Sequence, residues 1–209
     1  MGFIQFLISI ATLVLLIPTQ TAEEVVVPPS PQAIMGSGLI PADYMALFLM
    51  KEHPVLSPQF STAFAAMYVE EAAYEGVNHD IAFAQMCLET GFLRFGGLVK
   101  PYMNNFGGLG AISAQQPGER FPDIRTGIRA QIQHLKGYAT QDDLVQPLVD
   151  PRYRWIRRGV APTIAELAGT WATDRLYATK ITNILKRMYE YAYSIRTKTH
   201  TVKSAVQDF

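Results

Sequence analysis

The stretch Asn-His-Asp-Ile-Ala-Phe-Ala-Gln-Met-Cys-Leu-Glu-Thr-Gly, residues 78–91, decides the fold. Asn78 is of the type that caps helix N-termini and Gly91 of the type that ends helices, so the stretch predicts a helix beginning at His79. This helix is apolar nearly all round, which is typical of a helix buried at the centre of a domain. A charged side chain, Glu89, nevertheless lies in its last turn.

Glu89 is placed where an ionised carboxylate is disfavoured. The C-terminus of a helix carries partial negative charge, and apolar neighbours keep water from the anion. Both effects raise the pKa of the carboxyl group, as a general acid requires in order to stay protonated near neutral pH. Gln85, one turn earlier, is placed to hydrogen-bond this carboxyl group or a bound sugar. The alternative interpretation is that Glu89 points into solvent at an ordinary helix end.

Helical signals flank the central helix on both sides. Pro41 begins a helix that ends before Pro54, and Ser57-Pro58 begins another that runs towards Gly76. Residues 91–123 are rich in Gly, Pro, Asn and Phe, a composition typical of loops with at most a short hairpin. Further helices are predicted over residues 124–138, 164–171 and 178–195. The sequence therefore predicts a mainly α single domain with one irregular lobe inserted after the buried helix.

Residues 1–22 are predicted to be a signal peptide. The segment from Phe3 to Pro18 is almost wholly apolar. It is shorter than the roughly 20 residues that span a bilayer, and small residues follow it. An uncleaved N-terminal anchor is the alternative, and would be the chain's contact with a membrane. In both cases we expect an exported protein of the periplasm, the cell envelope or the extracellular space.

Residues 23–38 are predicted to be a Pro-rich linker. Pro28, Pro29 and Pro31 fall within sixteen residues that also contain two glycines, and this composition favours an extended chain. Order is expected to begin near Pro41. The folded domain is accordingly predicted over residues 39–196, with a polar tail over residues 197–209.

Composition narrows the classes of partner and chemistry. The 18 basic and 18 acidic residues cancel, which argues against a nucleic-acid partner because such proteins normally show a basic excess. The lone cysteine, Cys87, cannot form an internal disulfide. The four histidines are scattered, with neither H-E-x-x-H spacing nor a cysteine cluster. No metal ion and no other cofactor is predicted.

The irregular segment mixes aromatic rings, amides and glycines, a combination that binds carbohydrate. Sugar rings stack on aromatic planes, while amides hydrogen-bond hydroxyl and acetamido groups. Gly107-Gly108-Leu109-Gly110 is a weak candidate for a phosphate loop, because it lacks the G-x-G-x-x-G pattern and a suitably placed lysine. The residues of this segment that are predicted to contact substrate are Asn104, Asn105 and Phe106.

A series of motifs, in order along the chain, closely resembles the glucosaminidase domain of glycoside hydrolase family 73. The resemblance covers roughly residues 34–191. The motifs are Asp80-Ile81-Ala82-Phe83-Ala84-Gln85, Glu89-Thr90-Gly91, Phe95-Gly96-Gly97, Asn104-Asn105-Phe106, Gly108-Leu109-Gly110-Ala111, the run from Gly127 to Lys136, Val149-Asp150-Pro151-Arg152 and Trp171-Ala172-Thr173-Asp174.

The resemblance implies a lysozyme-like α+β fold, in which a helical lobe and a small irregular lobe form a cleft. It implies hydrolysis of the β-1,4 bond after N-acetylglucosamine in peptidoglycan, with Glu89 as the catalytic acid. A family tyrosine near the cleft maps onto Tyr177, although Arg175-Leu176 departs from the usual local pattern. Trp171 and Gln85 complete the predicted substrate-binding set.

Most glycosidases use two carboxylates, which raises the question of the second. Glu119 is the preferred candidate, because prolines and a glycine frame it in the irregular lobe, where the family often places a second acidic residue. Asp123 is better interpreted as the cap of the following helix. The acetamido carbonyl of the sugar is the alternative nucleophile, and the sequence does not decide between these routes.

Two other functions are alternatives to hydrolysis. A lytic transglycosylase shares the lysozyme-like fold, works from one glutamate and cuts after N-acetylmuramic acid. A non-catalytic wall-binding module is the alternative from a different class, but it has no use for a destabilised acid such as Glu89. Under each interpretation the partner is the peptidoglycan glycan strand, and the chain is expected to be a monomer.

Overall fold

The computed structural model describes the backbone of residues 27–207 and the side chains of residues 27–196. The molecule is mainly helical, as predicted, with one small sheet. The α-helices are α1 (Ala42–Glu52), α2 (Pro58–Glu75), α3 (His79–Thr90), α4 (Ile124–Ala139), α5 (Ile164–Leu167) and α6 (Tyr177–Gln207). The strands β1 (Ala111–Ser113) and β2 (Gln116–Pro117) form an antiparallel hairpin, and short 3-10 helices lie at Pro101–Met103 and Tyr153–Trp155.

The predicted helix boundaries of α2 and α3 are confirmed, together with their caps. The Ser57 hydroxyl accepts a hydrogen bond from the Phe60 amide at 3.2 Å. The Asn78 side chain accepts from the amides of Asp80 and Ile81, at 3.0 and 3.3 Å. Gly91 ends α3 in the left-handed conformation, which glycine adopts without steric cost. The cap residues therefore place the last turn of α3, and Glu89 with it.

Helix α3 is the centre of the helical body, which consists of α1 to α6. It packs against α2, α4 and α6, and its residues from Asp80 to Cys87 are buried. On α3, Phe83 meets the Tyr68 ring edge-on at 5.4 Å between centroids, and Phe64 of α2 packs beside both rings. The nearly all-round apolar character of α3 therefore reflects burial, as predicted.

The predicted linker is wrong for its last residues. Ile34 is fully buried, and its amide donates to the Pro162 carbonyl. Ala33 forms an isolated β-bridge with Thr163, and Met35 forms one with Val77. Residues 33–38 therefore belong to the folded domain, because an apolar segment after the prolines inserts between distant parts of the chain. Residues 1–26, which include the predicted signal peptide or anchor, lie outside the described residues.

Two predictions at the C-terminal end also need correction. Helix α5 is a single turn and does not extend to residue 171, since the chain turns at Gly169 with a φ of +93°. The backbone of α6 continues to Gln207, so most of the predicted tail, residues 197–209, extends the last helix. Among the described residues, no helix combines the length and apolar character needed to cross a membrane.

The irregular lobe and the short hairpin are confirmed over residues 91–123, which we call the hairpin lobe. Its two strands pair Ala111 with Pro117 and Ser113 with Gln116. The lobe closes on itself through a hydrogen bond from the Phe121 amide to the Met103 carbonyl at 2.9 Å. A helical body with one small inserted lobe agrees with the expected lysozyme-like arrangement.

Candidate active site

A cleft of about 440 Å³ lies between the helical body and the hairpin lobe. Glu89 lines it from the end of α3, and Gly108 and Ala111 line it from the hairpin lobe. Trp171 contributes from the segment before α6. The other lining residues are Phe95, Gly97, Leu98, Val99, Gly107, Ala172 and Thr173. The cleft is therefore walled by aromatic, apolar and small side chains around one carboxyl group.

The pKa of Glu89 is raised above its ordinary value, as predicted from its position. Burial is the largest cause, since it removes water from the charged form. Hydrogen bonds from Tyr177 and Trp171 act in the opposite direction and lower the pKa in part. The Tyr177 hydroxyl donates to Oε1 of Glu89 at 2.5 Å. The site thus combines a desolvated carboxyl group with a fixed donor, an arrangement suited to general acid catalysis.

The second oxygen of Glu89 faces the hairpin lobe. A Cβ placed on Gly108 would lie 2.9 Å from Oε2, so a larger residue would press on this oxygen. Gly108 also has a φ of +65°, a conformation that glycine adopts readily. The turn therefore leaves no room for a side chain between Gly108 and this carboxyl group.

Trp171 forms a rigid side of the cleft. Its ring packs edge-on against His134 at 4.8 Å between centroids, and it meets the tilted ring of Tyr138 at 5.9 Å. The His134 Nδ1 pairs with the buried Asp150 carboxylate at 2.6 Å, which holds the imidazole in place. An aromatic wall held in this way is suited to stacking against a sugar ring.

Comparison with known proteins identifies the family of this chain. A family profile named Glucosaminidase, described as mannosyl-glycoprotein endo-beta-N-acetylglucosaminidase, matches residues 65–190. The chain belongs to the Glucosaminidase family. Its resemblance to the glucosaminidase domain of glycoside hydrolase family 73 is confirmed.

Two individual proteins are similar to this chain. An uncharacterized protein of Borreliella burgdorferi is 40% identical over 158 residues, which cover 76% of this chain and 78% of the relative. A crystal structure of S. aureus autolysin E in complex with the muropeptide NAM-L-Ala-D-iGlu shows 14% identity and a TM-score of 0.49, covering 79% of this chain and 74% of that one.

The predicted substrate contact of Gln85 needs correction in this glucosaminidase-family domain. Gln85 is fully buried in α3. Its Nε2 donates to the Tyr177 hydroxyl at 3.0 Å, and its Oε1 accepts from Gln131 Nε2 at 2.8 Å. Both ends of the Gln85 amide are hydrogen-bonded to other protein side chains. Gln85 therefore lies behind Glu89 and not in the cleft.

The predicted sugar-binding roles of Asn105 and Phe106 are wrong for the same reason. Asn105 is buried; its Nδ2 donates to the carbonyls of Leu109 and Glu119, and its Oδ1 accepts from the Leu109 amide. Phe106 is buried against Phe64, with the ring centroids 5.1 Å apart. These residues shape the loop that carries Gly108, and they present no group to a ligand.

Asn104, the third predicted contact in this segment, is neither fully buried nor part of the cleft lining. It is half-buried with a φ of +51°, and its Nδ2 donates to the Phe121 carbonyl at 3.1 Å. Its side chain therefore closes a turn of the hairpin lobe, and it is not among the residues that line the cleft. Of the predicted substrate contacts, Trp171 lines the cleft. Tyr177 is not among the lining residues, but it donates a hydrogen bond to Glu89, which is.

Glu119 lies in the hairpin lobe, as predicted, but outside the lining of the cleft. Its half-exposed carboxylate is 3.8 Å from the Arg152 guanidinium. A Cβ on Gly110 would lie 3.1 Å from Glu119 Oε1. Gly108, next to Glu89, is two residues from Gly110 and so at most about 7 Å away along the chain. The two carboxylates therefore border one short turn.

Asp123 is the N-cap of α4, as predicted. Its Oδ1 accepts from the Thr126 amide at 2.8 Å and its Oδ2 from the Thr126 hydroxyl at 2.9 Å. The backbone amide of Thr126 lowers the pKa of Asp123, and the hydroxyl acts in the same direction. Nothing in these contacts directs Asp123 towards the cleft.

Sequence reasoning missed Gln131 of α4, which supports Gln85 from behind. Its only signal was its place in the motif that runs from Gly127 to Lys136, where apolar spacing draws attention to the other residues. It also missed the lining residues Leu98 and Val99. Within residues 27–196, no group of His, Cys, Asp and Glu side chains is arranged to hold a metal ion.

Proposed function

We propose that this glucosaminidase-family chain hydrolyses the β-1,4 bond after N-acetylglucosamine in peptidoglycan, with Glu89 as the general acid. The observation that carries the proposal is the placement of one desolvated carboxyl group, with a raised pKa, at the wall of a cleft. A carboxylic acid that keeps its proton near neutral pH can protonate the oxygen of the leaving sugar as the glycosidic bond breaks.

The placement of Oε2 supports this role for Glu89. Oε1 is occupied by the Tyr177 hydroxyl, whereas Oε2 is next to Gly108 on the side of the hairpin lobe. Trp171 lines the same cleft and offers a flat surface for a sugar ring. In this arrangement the glycan lies between the two lobes, with its scissile oxygen near Oε2.

We propose Glu119 as the second carboxylate, acting on water from the mouth of the cleft. Its support is the short turn that it shares with Glu89, through Gly110 and Gly108. The half-exposed side chain has access to water, which base assistance requires. The alternative route, in which the acetamido carbonyl of the sugar acts as nucleophile, leaves Glu119 a smaller role.

The identity of the new chain ends distinguishes the candidate reactions. Purified protein is incubated with cell-wall peptidoglycan, and the fragments are identified by mass spectrometry after borohydride reduction. The proposal expects reduced N-acetylglucosamine ends. Reduced N-acetylmuramic acid ends would contradict the bond specificity, anhydro ends would identify a lytic transglycosylase, and intact glycan would support a wall-binding module.

We further propose that residues 1–22 direct export, so that the monomeric chain meets peptidoglycan outside the cytoplasm. The support is the short uncharged apolar run followed by small residues and prolines. N-terminal sequencing of the extracytoplasmic protein is expected to begin near Ala22 or Glu23. A chain that retains Met1 in the membrane fraction would identify the segment as an anchor.

A further inference from the structure

Four buried side chains form a continuous line of hydrogen bonds that ends at Glu89. They come from four different helices and are at most 4% exposed. The donor–acceptor distances along the line are 2.6, 2.8, 3.0 and 2.5 Å. In order, the residues are Tyr68 of α2, Gln131 of α4, Gln85 of α3 and Tyr177 of α6.

The Ala82 backbone carbonyl sets the direction of this line. A carbonyl oxygen accepts hydrogen bonds and cannot donate, so the side chain that meets it must present a donor. Gln131 Nε2 lies 3.0 Å from the Ala82 oxygen, which fixes the orientation of the Gln131 amide. The Gln131 Oε1 then accepts from the Tyr68 hydroxyl, and the second hydrogen on Nε2 points to Gln85.

The direction passes from Gln131 to Tyr177 through Gln85. The Gln85 Oε1 faces a donor, so its Nε2 is the atom that meets the Tyr177 hydroxyl. Reversing the Gln85 amide would set two NH₂ groups against each other in a buried site, at the cost of an unsatisfied donor. Tyr177 therefore accepts from Gln85 and has its single proton free for Glu89.

Tyr177 remains a donor because its pKa is raised well above the ordinary value. Burial is the main cause, followed by the charge of Glu89 and the hydrogen bond to it. Its proton lies on the line to Glu89 Oε1. The carbonyl oxygen of a protonated carboxyl group is a better acceptor than its hydroxyl oxygen, so the bond from Tyr177 to Oε1 favours placing the acid's own proton on Oε2.

We propose that the Ala82 carbonyl, Gln131, Gln85 and Tyr177 form a one-way relay that keeps the acidic proton of Glu89 on Oε2, towards the substrate. Gln85 and Gln131 are positioning residues that act through Tyr177. This inference rests on the proposed role of Glu89 as general acid. The relay explains why three buried polar side chains lie behind the acid, where apolar packing would otherwise be expected.

A double-mutant cycle tests whether Gln85 acts through Tyr177. Gln85→Met keeps the size of the side chain and removes its amide, and Tyr177→Phe removes the donor to Glu89. Each single change is expected to lower kcat about tenfold, the scale of one buried hydrogen bond, with little change in KM. The double variant is expected to be no slower than Tyr177→Phe. Losses that multiply in the double variant would overturn the relay.

A titration of Glu89 followed by ¹³C NMR of its carboxyl carbon gives a second readout that needs no substrate. Burial, Tyr177 and Trp171 are the influences that shift this pKa. Because the Tyr177 bond lowers it, Tyr177→Phe is expected to raise the pKa of Glu89. Gln85→Met is expected to raise it less, and to add nothing in the Tyr177→Phe background. An unchanged pKa in Gln85→Met would overturn the relay.

The matched control is Gln133→Met, which removes another fully buried glutamine of α4. The Gln133 amide bonds to backbone at Pro147, Val149 and Asp150. Its loss is expected to lower the melting temperature while leaving kcat and the pKa of Glu89 in place. If Gln85→Met does not fold, Gln131→Met is titrated instead, with the same direction of shift expected and an unchanged pKa counting against the relay.

The relay and the proposed function fail in different ways. If Glu89→Gln hydrolyses cell walls at the wild-type rate, Glu89 is not the general acid, and the relay has no catalytic role. An inactive Glu89→Gln combined with independent, multiplying effects at positions 85 and 177 would leave the function standing and reject the relay.

Discussion

The two carboxylates that border the Gly108–Gly110 turn are held in contrasting ways. Glu89 lies in the last turn of a helix packed against three others, is largely desolvated and receives a hydrogen bond from the Tyr177 hydroxyl. Glu119 follows a two-residue strand, is half-exposed, and has Arg152 at 3.8 Å as its ion-pair partner. Glu89 therefore belongs to the helical body, and Glu119 belongs to the hairpin lobe.

The contrast matches the two tasks of a glycosidase. An acid has to keep its proton near neutral pH, and burial achieves this only where packing excludes water. A group that assists an incoming water molecule needs access to solvent. In the proposed mechanism the helical body supplies the acid, while the hairpin lobe supplies a solvent-accessible carboxylate and the backbone turn next to Glu89.

The largest effect is expected from Glu89→Gln. The amide cannot protonate the leaving oxygen, so wall hydrolysis should fall about 10²- to 10⁴-fold, the usual contribution of general acid catalysis. The fold should persist, because the side chain keeps its shape. Turnover and circular dichroism are measured beside Glu190→Gln, an exposed residue of α6 paired with Lys186. A folded Glu89→Gln enzyme with wild-type turnover would remove Glu89 from the mechanism.

A smaller effect is expected from Glu119→Gln, about 10²-fold in turnover if the carboxylate activates water. Azide can replace a missing base or nucleophile in many glycosidases, so it should restore activity to Glu119→Ala and not to Glu89→Gln. Asp123→Asn is the control, because asparagine also caps helices well. Near-wild-type turnover in Glu119→Gln would favour the acetamido route, and a loss confined to Asp123→Asn would show that Asp123 is the second acid.

The smallest effect is expected from Gly127→Ala, a change at the contact between α4 and the hairpin lobe. Alanine in a helix ordinarily gains stability over glycine. Here, however, the new Cβ would lie 1.7 Å from the Asn104 carbonyl oxygen of the hairpin lobe. The clash should destabilise the fold by about 1–3 kcal/mol, which lowers Tm by about 2–4 °C per kcal/mol.

Gly96→Ala is the control for this change, because a Cβ there meets nothing within 4 Å. Thermal unfolding of both variants is followed by circular dichroism. A Gly127→Ala protein as stable as the wild type would mean that the lobe shifts at no cost, and that its contact with α4 does not hold the turn against Glu89.

The accuracy of the sequence predictions depended on how local the determining interactions are. Ser57, Asn78 and Gly91 act within one helical turn, and their roles were confirmed. The linker prediction failed at Ile34 because proline content near residue 30 gives no information about a buried contact with residues 162 and 163. Similarity of composition to a binding loop likewise misassigned Asn105, whose partners lie four and fourteen residues away.

By itself, the sequence determined the helices, the burial of α3 and the unfavourable position of an ionised carboxylate at Glu89. These features depend on capping, periodicity and helix polarity, which are properties of neighbouring residues. Only the tertiary structure decided the partners of that carboxylate. Tyr177 is 88 residues from Glu89, and Gln131 is 46 residues from Gln85. Buried amides and hydroxyls need hydrogen-bond partners, and tertiary packing decides which groups are within reach. The roles of these side chains therefore depend on which helices pack together, and a local sequence pattern does not predict them.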